Sequence, residues 1–134
     1  MKKDPLRIQS HFLLGFLTLE YLFGMFINLF VEFPETKKEK VLWEFAKGQP
    51  SIVIHMVIAA LLVIGAIVLV IRAIRRKDRY WIIASSIGLV AILTATGMGA
   101  QLISTQQDVY SYVMAVAFLL AVFSYGWAIY RAKK

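Results

Sequence analysis

The sequence predicts an all-α integral membrane protein, built as an antiparallel four-helix bundle with its N-terminus and C-terminus in the cytoplasm. Three observations predict this class. Hydrophobic residues make up 60% of the 134 residues, above the roughly 45–50% of soluble domains. Four apolar segments are each long enough to cross about 30 Å of hydrocarbon as a helix. Lys and Arg residues gather on one side of these segments, which is the side that stays in the cytoplasm.

The first predicted span follows basic residues, as the apolar region of a signal peptide does. Lys2, Lys3 and Arg7 precede it, but its apolar run is too long for a signal peptide and no Ala-x-Ala cleavage pattern follows it. We therefore interpret all four segments as spans of one domain that covers residues 1–134. The spans are about residues 8–33, 51–71, 80–103 and 109–130.

The distribution of positive charge orients the spans. Three Lys or Arg residues precede the first span, five lie between the second and third, and three follow the fourth, whereas four lie in the segment 34–50. This bias places both termini and the second loop in the cytoplasm, and it predicts a multi-pass protein of the cytoplasmic, or inner, membrane. Topology explains the formal charge of +7, so no nucleic-acid partner is expected.

The segment 34–50 is predicted to lie on the outer side of the membrane. Pro34 and Pro50 bound it, and Thr36-x-x-Glu39 matches a capping box at the start of a short helix. Its apolar residues suit a helix lying on the membrane surface; a substrate lid or a partner-docking element is the alternative. These residues are Val41, Leu42, Trp43 and Phe45.

Small residues predict which spans pack together, because close backbone approach gives dispersion contacts that lipid does not replace. They recur at spacings of three and four residues on the third and fourth spans, so these two faces are expected to contact each other. The residues are Gly88, Ala91, Ala95 and Gly99 on the third span, and Ala117, Ala121, Ser124 and Ala128 on the fourth.

Aromatic and basic residues at the span ends predict contacts with membrane lipids. The loop 72–79 is dense in cations, each of which attracts an anionic head group by about 1 kcal/mol near a membrane surface. The neighbouring aromatic residues fit the belts found at membrane interfaces. They are Tyr80, Trp81, Tyr125, Trp127 and Tyr130.

A stripe of polar and small residues marks the first span. Glu20, Gly24, Asn28 and Glu32 recur every four residues, so they share one face of a helix, and we expect that face to point into the bundle. Hydrocarbon penalises such groups unless they find partners, and Glu20 lies near the bilayer centre. In the alternative interpretation Glu20 is neutral and donates a hydrogen bond to another helix, and Asn28 only joins helices.

Polar residues of the other spans are predicted to complete an outward-facing intramembrane pocket. Counting residues from the span ends places His55 level with Asn28 and Glu32, while Thr94 and Thr96 would extend the pocket towards Glu20. For His55, a structural or interfacial role is the alternative. Gln101, Ser111 and Tyr112 can reach the same layer. The candidates for ligand binding or proton titration are Glu20, Asn28, Glu32, His55, Gln101 and Tyr112.

The residue inventory restricts cofactors and catalysis. The chain has no cysteine, which excludes disulfides, thiolate metal sites and thiol nucleophiles. His11 and His55 are predicted at opposite ends of the bundle, about 25–30 Å apart, so they cannot hold one haem iron within a single chain. His55 and Glu32 supply only two of the three protein ligands that a catalytic zinc needs. No catalytic residue set is predicted.

The first span, Glu20-x-x-x-Gly24-x-x-x-Asn28-Leu29-Phe30 followed by Pro34, resembles that of small uncharacterised four-helix membrane proteins of prokaryotes. That resemblance covers most of the chain and implies no activity. The chain also resembles one four-helix half of haem A synthase, in which histidines near the outer ends of the second and fourth helices ligate haem. His55 matches the first position, whereas Tyr110 and Tyr112 stand on the fourth helix in place of a histidine.

These observations predict a non-enzymatic membrane module that binds a hydrophobic or amphipathic molecule, or serves as an accessory subunit of a larger membrane complex. One alternative is a redox protein that binds b-type haem or quinone, with His55 as an axial ligand and Tyr112, water or a second copy's His55 opposite. Another is a small proton-linked transporter that acts as a homo-oligomer, in which Glu20 titrates.

Overall fold

The computed structural model describes residues 4–131, and all of the regular structure in that range is helical. The predicted all-α class is therefore confirmed. Four helices are long and a fifth, shorter helix lies between the first two long ones. The helices are α1 (Pro5–Phe30), α2 (Glu39–Gly48), α3 (Pro50–Arg75), α4 (Arg79–Thr105) and α5 (Asp108–Arg131).

The four long helices are each long and apolar enough to cross a membrane. Their outward faces carry large exposed hydrophobic side chains, including Phe12, Phe30 and Phe123. Water would penalise that much exposed apolar surface, whereas lipid tails accept it. By length and composition the chain is thus a multi-pass membrane protein with four spans.

The ends of α1 differ from the predicted ones by three residues each. The helix begins at Pro5, because the Asp4 carboxylate accepts a hydrogen bond from the Leu6 N–H at 3.1 Å and proline suits the first helical position. It ends at Phe30, since Val31 is already extended. Phe33 precedes a proline, which disfavours helix there, and its ring lies 5.3 Å from that of Phe45 in α2.

The predicted capping box at Thr36 is wrong. The Thr36 hydroxyl accepts from the Lys38 N–H at 3.2 Å, but α2 begins at Glu39 with Lys38 as its N-cap. The carboxylate of Glu39 points to α4 instead of back to Thr36, and it accepts a hydrogen bond from the Ser104 hydroxyl at 2.9 Å. Ser104 in turn accepts from the Trp43 indole at 3.0 Å. Both bonds tie α2 to the last turn of α4.

The long helices form a closed ring in which α1 contacts α3 and α5, and α4 contacts α3 and α5. The pair α4 and α5 makes the most extensive contact, as their small residues predict. Ser124 donates to the Ala84 carbonyl at 2.6 Å. Gly88 faces the Tyr125 ring so closely that a Cβ on Gly88 would lie 2.4 Å from its Cζ.

Two of the expected belt aromatics are buried instead. Tyr125 is fully buried, because Gly88 leaves room for its ring between α4 and α5, and Trp81 is 3% exposed. Tyr80 remains nearer the surface and donates its hydroxyl to the Trp127 carbonyl at 3.2 Å.

The helices α1 and α3 are joined by polar contacts near the end where α3 turns into α4. Gln9 donates to the Gly65 carbonyl at 2.8 Å and accepts from Arg72 at 2.9 Å. Asp4, the N-cap of α1, also forms an ion pair with Arg76. The sequence pattern gave no sign of the Gln9 bridge, because a single glutamine at a span end is compatible with plain exposure.

We predict that Gly88→Ala destabilises the protein although alanine favours helices. Its Cβ would overlap the buried Tyr125 ring, and overpacking of this kind costs about 1–3 kcal/mol. Gly97→Ala on the same helix is the control, because a Cβ there meets nothing within 4 Å, so it should leave stability unchanged or raise it by up to about 1 kcal/mol. Unfolding in detergent, followed by circular dichroism, measures both; equal effects would contradict the packing described.

Candidate functional site

The candidate site is a pair of ionisable side chains between α1 and α3. Glu20 lies on α1, about ten residues or 15 Å from the end of that helix at Phe30. His55 lies near the start of α3, and its Nδ1 is 3.3 Å from Oε1 of Glu20. The side chains of His55 and Glu20 are 20% and 14% exposed. The carboxyl group that was predicted to lie deepest in the membrane is therefore in contact with His55.

The imidazole of His55 lies close to α1 at Gly24. A Cβ built on Gly24 would lie 3.5 Å from Cε1 of His55, so a longer side chain there would meet the ring. The ring lies against the helical turn between Glu20 and Gly24.

His55 is thus deeper, relative to α1, than residue counting predicted. Counting placed His55 level with Asn28 and Glu32. That count assumed a first span ending at residue 33, whereas α1 ends at Phe30 and α3 begins at Pro50. The earlier end of α1 moves the matching level on α1 about one turn deeper.

Both partners retain a polar atom without a hydrogen bond. Oε2 of Glu20 and Nδ1 of His55 are buried, and neither has a hydrogen-bond partner among the described residues. The Nδ1–Oε1 distance fits an ion pair, but its angle does not make a hydrogen bond. Buried polar atoms are rarely left unsatisfied, so these two atoms can form hydrogen bonds with water or a ligand.

The predicted stripe faces the interior only in part. Glu20 and Gly24 lie between helices, whereas Asn28 is exposed. Glu32 lies beyond the end of α1, so it shares no helical face with the other three and is exposed. The expectation of a continuous inward stripe is therefore wrong at these two positions: α1 ends before Glu32, and Asn28, although inside the helix, is on its exposed side.

The remaining candidates are spread over the surface. Gln101 is exposed, and Tyr112 is 71% exposed. The hydroxyls of Thr94 and Thr96 donate to the carbonyls of Val90 and Ile92 in their own helix, both at 2.9 Å. Of the six candidates, the structure brings Glu20 and His55 into contact. Whether the other four bind a ligand stays a prediction.

The two histidines lie in separate surroundings. His11 donates from Nδ1 to the Arg7 carbonyl of its own helix at 2.7 Å and is exposed. Since His55 lies against Gly24, thirteen residues further along α1, the two rings are about 20 Å apart. Within residues 4–131, no three His, Asp or Glu residues are grouped to hold a metal ion.

We predict energetic coupling between Glu20 and His55. Glu20→Met and His55→Leu each leave one polar partner buried, whereas the double variant removes both, so the double loss should be smaller than the sum by about 1 kcal/mol. Unfolding free energies of all four proteins in detergent measure the coupling. Thr18→Val is the matched control on α1, because that hydroxyl bonds to the Leu14 carbonyl of its own helix; it should add to His55→Leu without coupling. Additive losses for both pairs would show that the Glu20–His55 contact carries no energy.

Comparison with protein-family models, with curated proteins and with solved structures gave no match for this chain.

Proposed function

We propose that the chain is a non-enzymatic binding module of the cytoplasmic membrane, in which Glu20 and His55 bind a small amphipathic molecule between α1 and α3. The observation that carries this proposal is the pair itself: two ionisable side chains in contact inside two membrane spans, with Oε2 of Glu20 and Nδ1 of His55 buried and without a hydrogen bond among the described residues. Ionisable groups in spans are costly and mark functional sites.

The proposed arrangement is an antiparallel bundle with both termini in the cytoplasm. Several contacts support antiparallel neighbours: as residue numbers increase along one helix, the numbers of their contact partners on the next helix decrease. Asp4 pairs with Arg76 and Glu20 with His55 between α1 and α3. Between α4 and α5, Ala84 contacts Ser124 and Gly99 lies near Met114. The excess of Lys and Arg at the termini and the second loop supports the orientation.

The chemistry of the pair selects the ligand class. Oε2 of Glu20 can accept a hydrogen bond from a ligand hydroxyl or ammonium group, and His55 can donate to or accept from a neighbouring polar atom. The polar group of such a ligand would lie beside the imidazole, which is itself close to α1 at Gly24. Because the surrounding helix faces are apolar, the rest of such a ligand is hydrocarbon, which reaches the site from the membrane.

Single-cysteine labelling tests the proposed orientation. The natural chain has no cysteine, so Lys40→Cys in α2 and Lys77→Cys after α3 each introduce one exposed thiol. With a membrane-impermeant maleimide on intact cells, Lys40→Cys should react at once and Lys77→Cys only after permeabilisation. The reverse pattern would invert the topology, and labelling of both in intact cells would contradict a bundle of four spans.

Native mass spectrometry of protein released from a mild detergent tests ligand binding. We expect the natural chain to retain a reproducible small adduct, and Glu20→Gln to lower its occupancy at least about tenfold, because one of the two acceptor oxygens is replaced by an amide nitrogen that can only donate. Asn28→Leu is the control, since Asn28 is exposed and should leave the occupancy unchanged.

The mass of the adduct distinguishes the other interpretations. A lipid- or quinone-sized mass that depends on Glu20 supports the binding module. A haem-sized mass that depends on His55 would replace it with the redox interpretation. A bare protein, or an adduct indifferent to Glu20→Gln, would overturn the site and leave an accessory structural role.

A further inference from the structure

A second feature lies on the surface between α4 and α5, at the end of the bundle where α3 turns into α4. It is a groove of about 890 Å³, which we call the α4–α5 groove. Its floor is made of small residues, Ala84, Ser124 and Gly126. Large side chains with exposed outer surfaces form its walls, namely Ile83, Ile87, Leu120, Phe123, Trp127 and Tyr130.

The groove offers an apolar surface without free polar groups on its floor. Ser124, the one polar floor residue, donates its hydroxyl to the Ala84 carbonyl at 2.6 Å. A Cβ added to Gly126 would meet nothing within 4 Å, so the floor is open to the outside at that point. An occupant of this groove is therefore a hydrocarbon chain rather than a polar molecule.

The length of the groove matches one leaflet. Its lining extends from Leu120 to Tyr130 on α5, which is about 15 Å at 1.5 Å per residue. The hydrocarbon core of a bilayer is about 30 Å thick. The groove thus runs from the membrane interface to about the bilayer centre, as the acyl chain of a single leaflet does.

Two arginines lie at the interfacial end of this groove. The Arg131 guanidinium lies 5.5 Å from the centre of the Trp127 ring, which forms the groove wall. Arg79 is exposed and immediately precedes Tyr80, which lines the groove and bonds to the Trp127 carbonyl.

The acidic residues near this end are engaged elsewhere. Asp78 accepts from the N–H groups of Tyr80 and Trp81 as the N-cap of α4, and Asp4 pairs with Arg76. With Asp4 paired to Arg76, the carboxylate of Asp78 offsets one of the two charges of Arg79 and Arg131, so the interfacial end of the groove keeps an excess of positive charge.

We propose that the α4–α5 groove is a binding site for one acidic phospholipid, with an acyl chain in the groove and its phosphate between Arg79 and Arg131. Arginine binds phosphate in a bidentate manner, and basic sites between spans favour anionic head groups. The site rests on the membrane-spanning arrangement proposed above and is independent of Glu20 and His55. The two arginines lie at the end of the apolar groove. The site therefore suits a molecule that carries both a phosphate and an acyl chain.

Competition between two lipids with identical chains tests the charge. The protein is reconstituted with equal amounts of dioleoyl phosphatidylglycerol and dioleoyl phosphatidylcholine, then released for native mass spectrometry. We expect the natural chain to retain phosphatidylglycerol in preference to phosphatidylcholine. Arg79→Gln combined with Arg131→Gln should lower that preference about tenfold. Arg75→Gln with Lys77→Gln removes the same charge from the end of α3 and the turn that follows it, and should leave the preference unchanged. Equal losses from both double variants would show diffuse attraction and overturn the site.

Filling the groove tests the apolar part. Gly126→Leu places a side chain on the open floor and should lower retention of both lipids several-fold. Ile87→Trp narrows the groove from the opposite wall and should act in the same direction, which keeps the test valid if one variant does not fold. If these variants still retain the adduct that depends on Glu20, the lipid site in the α4–α5 groove is separate from the ligand site at Glu20 and His55. Full retention of phosphatidylglycerol in a folded groove variant would overturn the proposal.

Discussion

Close approach between helices is the constraint on which the rest of this structure depends. Lipid tails are as apolar as leucine, so the hydrophobic effect gives little drive for spans to associate, and dispersion contacts must supply it. The helices α4 and α5 achieve this where the fully buried Tyr125 ring lies directly on Gly88. Small residues on both helices allow that approach, and the other long helices pack around this pair through α3 and α1.

Polar contacts then position α1 against α3. Arg76 pairs with Asp4 at one end, Gln9 bridges Gly65 and Arg72 further along, and His55 meets Glu20 towards the other end. In an apolar medium each of these groups would be penalised if left unpaired, so sliding one helix past the other would break several contacts together. The depth at which the imidazole meets the carboxyl group is thus a consequence of where α1 begins and ends.

The short helix α2 connects the end of α1 to the start of α3. Its indole and carboxylate share the Ser104 hydroxyl of α4, and its buried residues Leu42 and Ala46 pack on the bundle. Because α2 leads directly into Pro50 and α3, its attachment also fixes the start of the helix that carries His55. The proposed ligand site and the proposed lipid site lie at different levels of the bundle and use different helix pairs.

Local chemistry was enough for the sequence to determine the helical class, the four spans and the contact between α4 and α5. Apolar length and small-residue spacing are properties of single segments, and hydrocarbon tolerates few alternatives to helices. Glu20 and His55 could also be selected as candidate residues from the sequence, because each is an ionisable residue within an apolar segment. Only the tertiary structure decided that these two meet, that Asn28 and Glu32 do not join them, and that Tyr125 is buried rather than interfacial. Those outcomes depend on where α1 ends and on which helix lies opposite, and both are set by contacts between residues far apart in the chain, such as Phe33 with Phe45 and Ser104 with Glu39.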